Sequence, residues 1–256
     1  MVYLIKLGGS VITDKTKLYE FREATTMRLA KELKESARKY IIVHGAGSFG
    51  HIKAKRYNLD SITKKNISKF RAGIAEVQYD VRTLNLKVIK CLSSAGLNPV
   101  SVPPSMVVKC ENKKIKYFND EIFRDYIRAG LTPVTFGDVV LDEKLGFCIC
   151  SGDLLMLELA KKFKFEKAIF LMDVDGFYSG EPKSSKLIPE LTKELVTAVK
   201  PNSKIPDVTG GAYEKMRISL ELARHTKTIA INGNIKNRLK ETIEGKPVIG
   251  TKIKIK

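Results

Sequence analysis

The 256-residue chain has no tryptophan, a single glutamine (Gln78) and only 8% aromatic residues. No run of basic residues interleaved with aromatics offers a stacking platform for nucleic acid. No apolar stretch approaches the roughly 20 residues of a membrane span. The first one is broken by Lys6 and is too short for a signal-peptide core. The four cysteines, Cys91, Cys110, Cys148 and Cys150, form no C-x-x-C pair. They therefore suggest neither a zinc site nor a thioredoxin-like motif, and read as small buried hydrophobes. The Walker pattern G-x-x-x-x-G-K-[ST] is absent, so this is not a P-loop NTPase. Acid is scarce too: 28 Asp+Glu face 46 Lys+Arg, for a net charge of +18. The lysines are scattered along the whole length. That favours a solvated, lysine-rich surface of the kind enriched in proteins from hot environments, with attraction for polyanionic substrates added. The expectation is a cytoplasmic globular protein that binds neither nucleic acid nor membrane.

What is present is an alternation of short apolar runs with amphipathic stretches. Val2–Leu7, Tyr40–Val43, Pro99–Val102, Leu131–Phe136, Lys167–Met172 and Thr228–Ile231 read as strands, and Pro247–Ile255 as short strand segments. Helices are expected over Phe21–Ser36, Ser68–Ala95, Glu121–Ala129, Ser151–Phe163, Thr209–His225 and Lys236–Glu244. Gly96 sits where a glycine ends a helix. Hairpins are expected at 106–118 and 139–150. The βαβ rhythm predicts an α/β fold, a three-layer α/β/α sandwich with a central, largely parallel sheet. It further predicts two lobes on one continuous sheet, 1–150 and 151–256.

Two glycine-rich turns follow the first two strands: Lys6-Leu7-Gly8-Gly9-Ser10 and His44-Gly45-Ala46-Gly47-Ser48-Phe49-Gly50-His51. Glycine lets bare backbone amides approach an anion, and a helix starting there adds orphan donors and a positive dipole end. Two such turns suggest two phosphate-bearing ligands held face to face. Lys6, ending an apolar strand, reads as a phosphate clamp. Lys15 alone reads as a solvated loop lysine. His51 at the mouth of the second turn can donate to a phosphate oxygen. His44 reads as a fixer of the turn's backbone, and His225 has no site around it. The second turn matches G-x-G-x-x-G, but no strand ending in an acid follows about twenty residues on, which leaves a dinucleotide-binding oxidoreductase as a lesser alternative. In Ser151-Gly152-Asp153, serine or aspartate is first a helix cap, and Asp153 could instead aim lysines across a cleft. Asp173-Val174-Asp175-Gly176 ends a strand and is too short for an EF-hand loop. Asp207-Val208-Thr209-Gly210-Gly211, with Lys215 beyond, is a third glycine-rich helix start suited to phosphate or ribose. Phe70, Ile74 and Val77 are candidates for an apolar slot, with core packing the competing role.

These segments, with Phe136-Gly137-Asp138 and Asn232-Gly233-Asn234, fall in the order found in the amino acid kinase superfamily, and the chain resembles that superfamily over nearly its whole length. The Ser-Phe-Gly-His ending of the second turn and Asp-Val-Thr-Gly-Gly are similar to its archaeal isopentenyl phosphate kinase branch. The resemblance implies ATP- and Mg2+-dependent phosphorylation of isopentenyl phosphate, and often a homodimer. It implies that Lys6, Gly8, Gly9 and Ser10 hold ATP phosphates, that Lys15 stabilises the transferring group, and that Gly45, Gly50, His51 and Gly152 bind the acceptor phosphate. Ala46, Asp173, Gly211 and Lys215 would contact nucleotide. Residues 1–150 would hold the acceptor and contribute the ATP phosphate loop, and 151–256 would bind nucleotide. Asp153 joins Lys6, Lys15 and His51 as a catalytic candidate, and no protein metal ligand is expected. Two residues depart from the pattern. Ala46 replaces a glycine, which is tolerable if its φ is not strongly positive, and Leu154 stands where relatives often carry a second aspartate. Uridylate, carboxylate and fosfomycin kinases are alternatives within the superfamily. A nucleic-acid binder is the alternative outside it.

Overall fold

The first strand sets the layout. In a computed structural model that describes residues 2–14, 16–180, 182, 184–198 and 210–255, Val2–Leu7 form β1. Strand alternation sends Tyr3, Ile5 and Leu7 into one apolar cluster and Leu4 into another. β1 pairs with a parallel neighbour on each side, so both its faces must be covered, and its apolar run meets that demand.

Along the chain follow α1 (Gly9–Ile12), α2 (Glu23–Ser36), β2 (Lys39–His44), α3 (Gly47–Arg56) and α4 (Arg71–Ser94). Next come β3 (Pro99–Ser101), α5 (Pro104–Val107), β4 (Val108–Glu111), β5 (Lys114–Phe118), α6 (Glu121–Arg128) and β6 (Thr132–Phe136). Then come β7 (Asp138–Asp142), β8 (Gly146–Cys150), α7 (Gly152–Lys162) and β9 (Lys167–Met172). The chain ends with β10 (Glu190–Leu191), α8 (Lys193–Ala198), α9 (Gly210–Ala223), β11 (Thr228–Asn232), α10 (Arg238–Glu244) and β12 (Gly250–Ile253).

The main sheet has eight strands in the order β10-β12-β11-β9-β1-β2-β6-β3. The six strands from β11 to β3 are parallel, and β12 runs antiparallel to β11. One face is covered by α2, α4 and α10, whose Leu33, Leu84, Val88 and Ile243 pack on Ile5, Ile42 and Ile169. The other is covered by α7 and α9, whose Leu155, Leu159, Met216 and Leu222 pack against Leu4, Val43 and Phe170. The molecule is thus the expected three-layer α/β/α sandwich. No helix among the described residues is long and apolar enough to cross a membrane.

One expectation fails. The early hairpins do not extend the main sheet; they form a separate four-stranded sheet in the order β5-β4-β7-β8. Pro103 and Pro104 lack amide donors, and Pro104 opens α5, which turns the chain away after β3. Gly137 then hands it from β6 to β7. Four of the described helices, α1, α3, α5 and α8, have no counterpart among the predicted helices. α1 and α3 both begin at glycine, a poor helix former, and neither carries a long apolar stripe; α5 and α8 are only four and six residues long.

Candidate active site

A cavity of about 280 Å³ opens beyond the carboxyl ends of β1, β2 and β9, where the glycine turns leave the sheet. The turns meet backbone to backbone. A Cβ on Gly9 would lie 2.8 Å from the Gly47 nitrogen, and one on Gly45 would lie 2.6 Å from the Gly9 nitrogen. No side chain fits at either place, so here glycine is a packing requirement. The Gly45 amide is held by Leu7 O at 3.0 Å and the Gly8 amide by Leu171 O at 3.1 Å, which ties both turns to the strand ends. Gly9 and Ser10 open α1, and their amides are the orphan donors of a helix start.

Strand alternation also aims Lys6. It follows Leu4 on the face that α7 covers, and its ammonium meets the Asp153 carboxylate in the first turn of α7. It also sits 5.6 Å from the centroid of the Phe170 ring. Both charges are buried. Burial pushes the Lys6 pKa down, and Lys215 adds to that, against the opposing pull of Asp153. Burial alone would raise the Asp153 carboxyl, but Lys6, Lys215 and His51 together hold it below the ordinary carboxylate range. The cap of α7 is Ser151, whose Oγ accepts from the Leu154 amide at 3.2 Å. Asp153 is thereby left to the lysines.

The two histidines flanking the second turn differ. His44 is fully buried and stacked on Phe136 with centroids 5.1 Å apart. Its Nδ1 lies 3.0 Å from Gly45 O and its Nε2 3.1 Å from Asn85 Nδ2. A neutral ring donating from Nδ1 and accepting at Nε2 satisfies both, and burial lowers its pKa to about 4. It therefore braces the turn. His51, one turn into α3, is exposed and lines the cavity. Ala46 has φ −69°, an ordinary value for any residue, so its methyl strains nothing.

From this polar end the cavity runs into an apolar one lined by Ala54, Val77, Val81, Val139 and Ile149. Of the three residues expected at a slot, only Val77 reaches it. Ile74 and Phe70 pack behind, in the cluster with Leu59, Ile62 and Phe136. Ala54 and Ile149 had no signal in the sequence beyond being apolar. Val81 was recognisable only as part of the α4 stripe. Another pair went unforeseen: Arg82 of α4 reaches the buried Asp138, at 3.3 Å, from which Val139 continues β7.

Lys6, Gly8, Gly9, Ser10, Gly45, Ala46, Gly50, His51, Gly152, Asp153, Asp173, Gly211 and Lys215 all line this cavity. Lys15 and Asp207-Val208-Thr209 lie outside the described residues. Asp175 serves another purpose: it pairs with Arg238 and accepts from Asn232, tying the β9 exit to α10. Among the described residues, no group of three or more His, Cys, Asp or Glu side chains could hold a metal ion.

The amino acid kinase family model matches residues 1–232. The isopentenyl phosphate kinase of Thermoplasma acidophilum is 34% identical over 255 residues, covering 98% of this chain and 99% of the relative. A solved isopentenyl phosphate kinase superposes with a TM-score of 0.88 at 30% identity, covering 99% of this chain and 100% of the other. The T. acidophilum enzyme in a product complex gives 0.81 at 30% identity, with the same coverage. The chain belongs to the amino acid kinase family and, within it, to the archaeal isopentenyl phosphate kinase type.

Proposed function

We propose that this protein transfers the γ-phosphoryl group of ATP to isopentenyl phosphate, giving isopentenyl diphosphate and ADP. The observation that carries this reading is a single cavity with a cationic, amide-lined end joined to an apolar one. A phosphate ester with a short branched hydrocarbon tail has that same division. The run of Ala54, Val77, Val81, Val139 and Ile149 suits a hydrocarbon better than a nucleobase, which disfavours uridylate as the acceptor.

The glycine turns fit a nucleotide triphosphate. Gly8, Gly9 and Gly45 line the cavity without side chains, and the charges of Lys6 and Lys215 both act on Asp153 at its wall. Lys6, Gly8, Gly9 and Ser10 would hold the ATP phosphates, with Ala46, Asp173, Gly211 and Lys215 along the rest of the nucleotide. Gly45, Gly50, His51 and Gly152 would hold the acceptor phosphate, and Lys15 would stabilise the transferring group. When bound, ATP supplies the phosphoryl group and Mg2+ on its phosphates offsets the charge that develops. Residues 1–150 would then form the acceptor side and residues 151–256 the nucleotide side.

An acceptor-phosphate oxygen attacks the γ-phosphorus as the bond to the β–γ bridging oxygen breaks. The second pKa of such a monoester is about 6, so at neutral pH the attacking oxygen is already deprotonated and no general base is needed. What the site must overcome is repulsion between two anions. Lys6, His51 and the turn amides do this by being in place beforehand. Asp153 acts as the positioning residue that keeps the Lys6 ammonium at the strand end.

The working form is proposed to be a cytosolic homodimer. α4 exposes Tyr79 and Leu86, seven residues apart on one stripe, and Met106 on α5 is exposed beside them. Ser105 accepts from Arg82 of α4 at 2.7 Å, which docks α5 on that stretch. A second copy of the same apolar surface is the simplest cover, and light scattering on Tyr79→Glu/Leu86→Glu reads it directly. All four cysteines are buried thiols, as a reducing compartment allows.

The deciding assay measures ADP release with isopentenyl phosphate, uridylate, acetylglutamate and fosfomycin in parallel. Isopentenyl phosphate is expected to lead in kcat/KM by orders of magnitude. Equal or better turnover of any other acceptor overturns the reading.

A further inference from the structure

A second cavity, of about 480 Å³, lies at the amino-terminal edge of the same parallel strands, remote from the cleft. Five lysines line it: Lys167, Lys227, Lys246, Lys252 and Lys254. Two are neutralised. Lys246 pairs with Glu244 at 2.7 Å and Lys254 with Glu190 at 2.6 Å. The other three are not. Lys227 and Lys252 make no ion pair among the described residues. The Lys167 ammonium donates to a backbone carbonyl, Thr242 O, at 2.7 Å. The fold forces these three together. Lys167 begins β9, Lys227 immediately precedes β11, and Lys252 sits on β12 opposite Ile229. Thr228 is in register with Ala168, so the strand starts are level.

Half-burial pushes the Lys167 pKa down, and Lys227 and Lys252 push it further, with Glu166 opposing. Like charges brought to one concave surface repel, and a bound anion removes that cost. We propose that this cavity is an anion site for a small molecule bearing a diphosphate group, separate from the catalytic cleft. Adjacent strands lie about 4.8 Å apart, so ammonium groups carried on three neighbouring strands span roughly 10 Å. One phosphate is too short to touch all three, whereas two linked phosphates can. Ile229, Val248 and Ile253 form an apolar wall beside the lysines that would take an organic substituent.

The test is calorimetric titration of the full chain with inorganic pyrophosphate at 0.15 M salt. Wild type is expected to bind two equivalents, one at each end of the sheet. Lys227→Gln/Lys252→Gln is expected to weaken one event at least tenfold while keeping kinase turnover, since both side chains are exposed. Lys6→Met assigns the other event to the cleft, whether or not the protein proves to be a kinase. Lys64→Gln/Lys65→Gln, the same charge change at exposed positions elsewhere, controls for overall charge. An unchanged isotherm in Lys227→Gln/Lys252→Gln overturns the proposal, as does equal weakening in the control. Butyl diphosphate in place of pyrophosphate identifies the source. Tighter binding points to an ester using the apolar wall and weaker binding to the inorganic ion, and either ranking supports the site.

Discussion

The two ends of the cleft are built by different means. The polar end is backbone and charge: glycine turns packed so closely that a Cβ on Gly9 or Gly45 would lie 2.6–2.8 Å from the facing backbone, and a buried Lys6–Asp153 pair set by strand alternation. The apolar end is a gap in ordinary packing, bounded by side chains of α3, α4, β7 and β8 that otherwise belong to the core. The first end tolerates almost no substitution because it has no slack. The second is adjustable, because removing a methyl there enlarges a cavity that already exists. Chemistry should therefore break at the polar end and selectivity should shift at the apolar one.

The largest effect is expected from Lys6. Lys6→Met should lower kcat/KM by on the order of a thousandfold, the scale of losing a preorganised charge at a transition state. It also takes from the buried Asp153 carboxylate its ion-pair partner, a loss of about 3–5 kcal/mol. Lys6→Met/Asp153→Asn separates the two effects. Stability measured by urea unfolding should largely return while activity does not. If turnover returns as well, the pair is structural and the phosphate role of Lys6 is lost.

His51→Ala comes next, with a loss of about a hundredfold in kcat/KM. The ring is exposed, so thermal stability should hardly move. A His51→Ala enzyme with full kcat/KM would remove this histidine from the acceptor site.

At the apolar end the expected effects are smaller and of another kind. Val77→Ala should favour longer prenyl phosphates several-fold over isopentenyl phosphate, at a stability cost of about 2 kcal/mol. Ile74→Ala, one helical turn away but packed behind the wall, should cost about 2–5 kcal/mol and leave chain-length preference alone. If the two variants shift selectivity alike, the cavity wall is not where the geometry puts it.

The same contrast explains what could be read from the sequence. The polar end was legible because its demands are local: Gly8-Gly9 and Gly45-Ala46-Gly47 announce themselves as adjacent residues, and Lys6 sits at a fixed phase of an apolar strand. The parallel sheet was legible from periodicity. The apolar wall was not, since Ala54, Val81, Val139 and Ile149 come from four elements and differ from core residues only in facing a gap. The separate small sheet was hidden for a related reason. A hairpin's sequence fixes its own pairing but not which neighbouring strand its edge will meet. α3 escaped because two of its first four residues are glycines, held helical by tertiary contacts such as the Ser48 amide on Thr13 Oγ1 at 3.0 Å.

The smallest effect on activity, and the sharpest on stability against pH, concerns the other histidine. His44 braces the second turn as a neutral ring, with a folded pKa of about 4 against about 6.5 when unfolded. Above pH 6.5 the ring is neutral in both states and contributes no pH dependence. As pH falls through 6.5 the unfolded chain takes up a proton that the folded one refuses, so stability drops until about pH 4, where the folded ring protonates too. The full difference is about 3 kcal/mol. Carboxylates such as Asp153 also lose stabilisation on acidification, but they do so equally in wild type and in His44→Gln. The difference between the two urea-unfolding curves therefore isolates the ring. It should be flat above pH 6.5 and shrink steadily toward pH 4 as wild type alone is penalised. Parallel curves across that range would mean that the ring is hydrated and charged in the folded protein, and that something other than a neutral imidazole holds the Gly45 carbonyl.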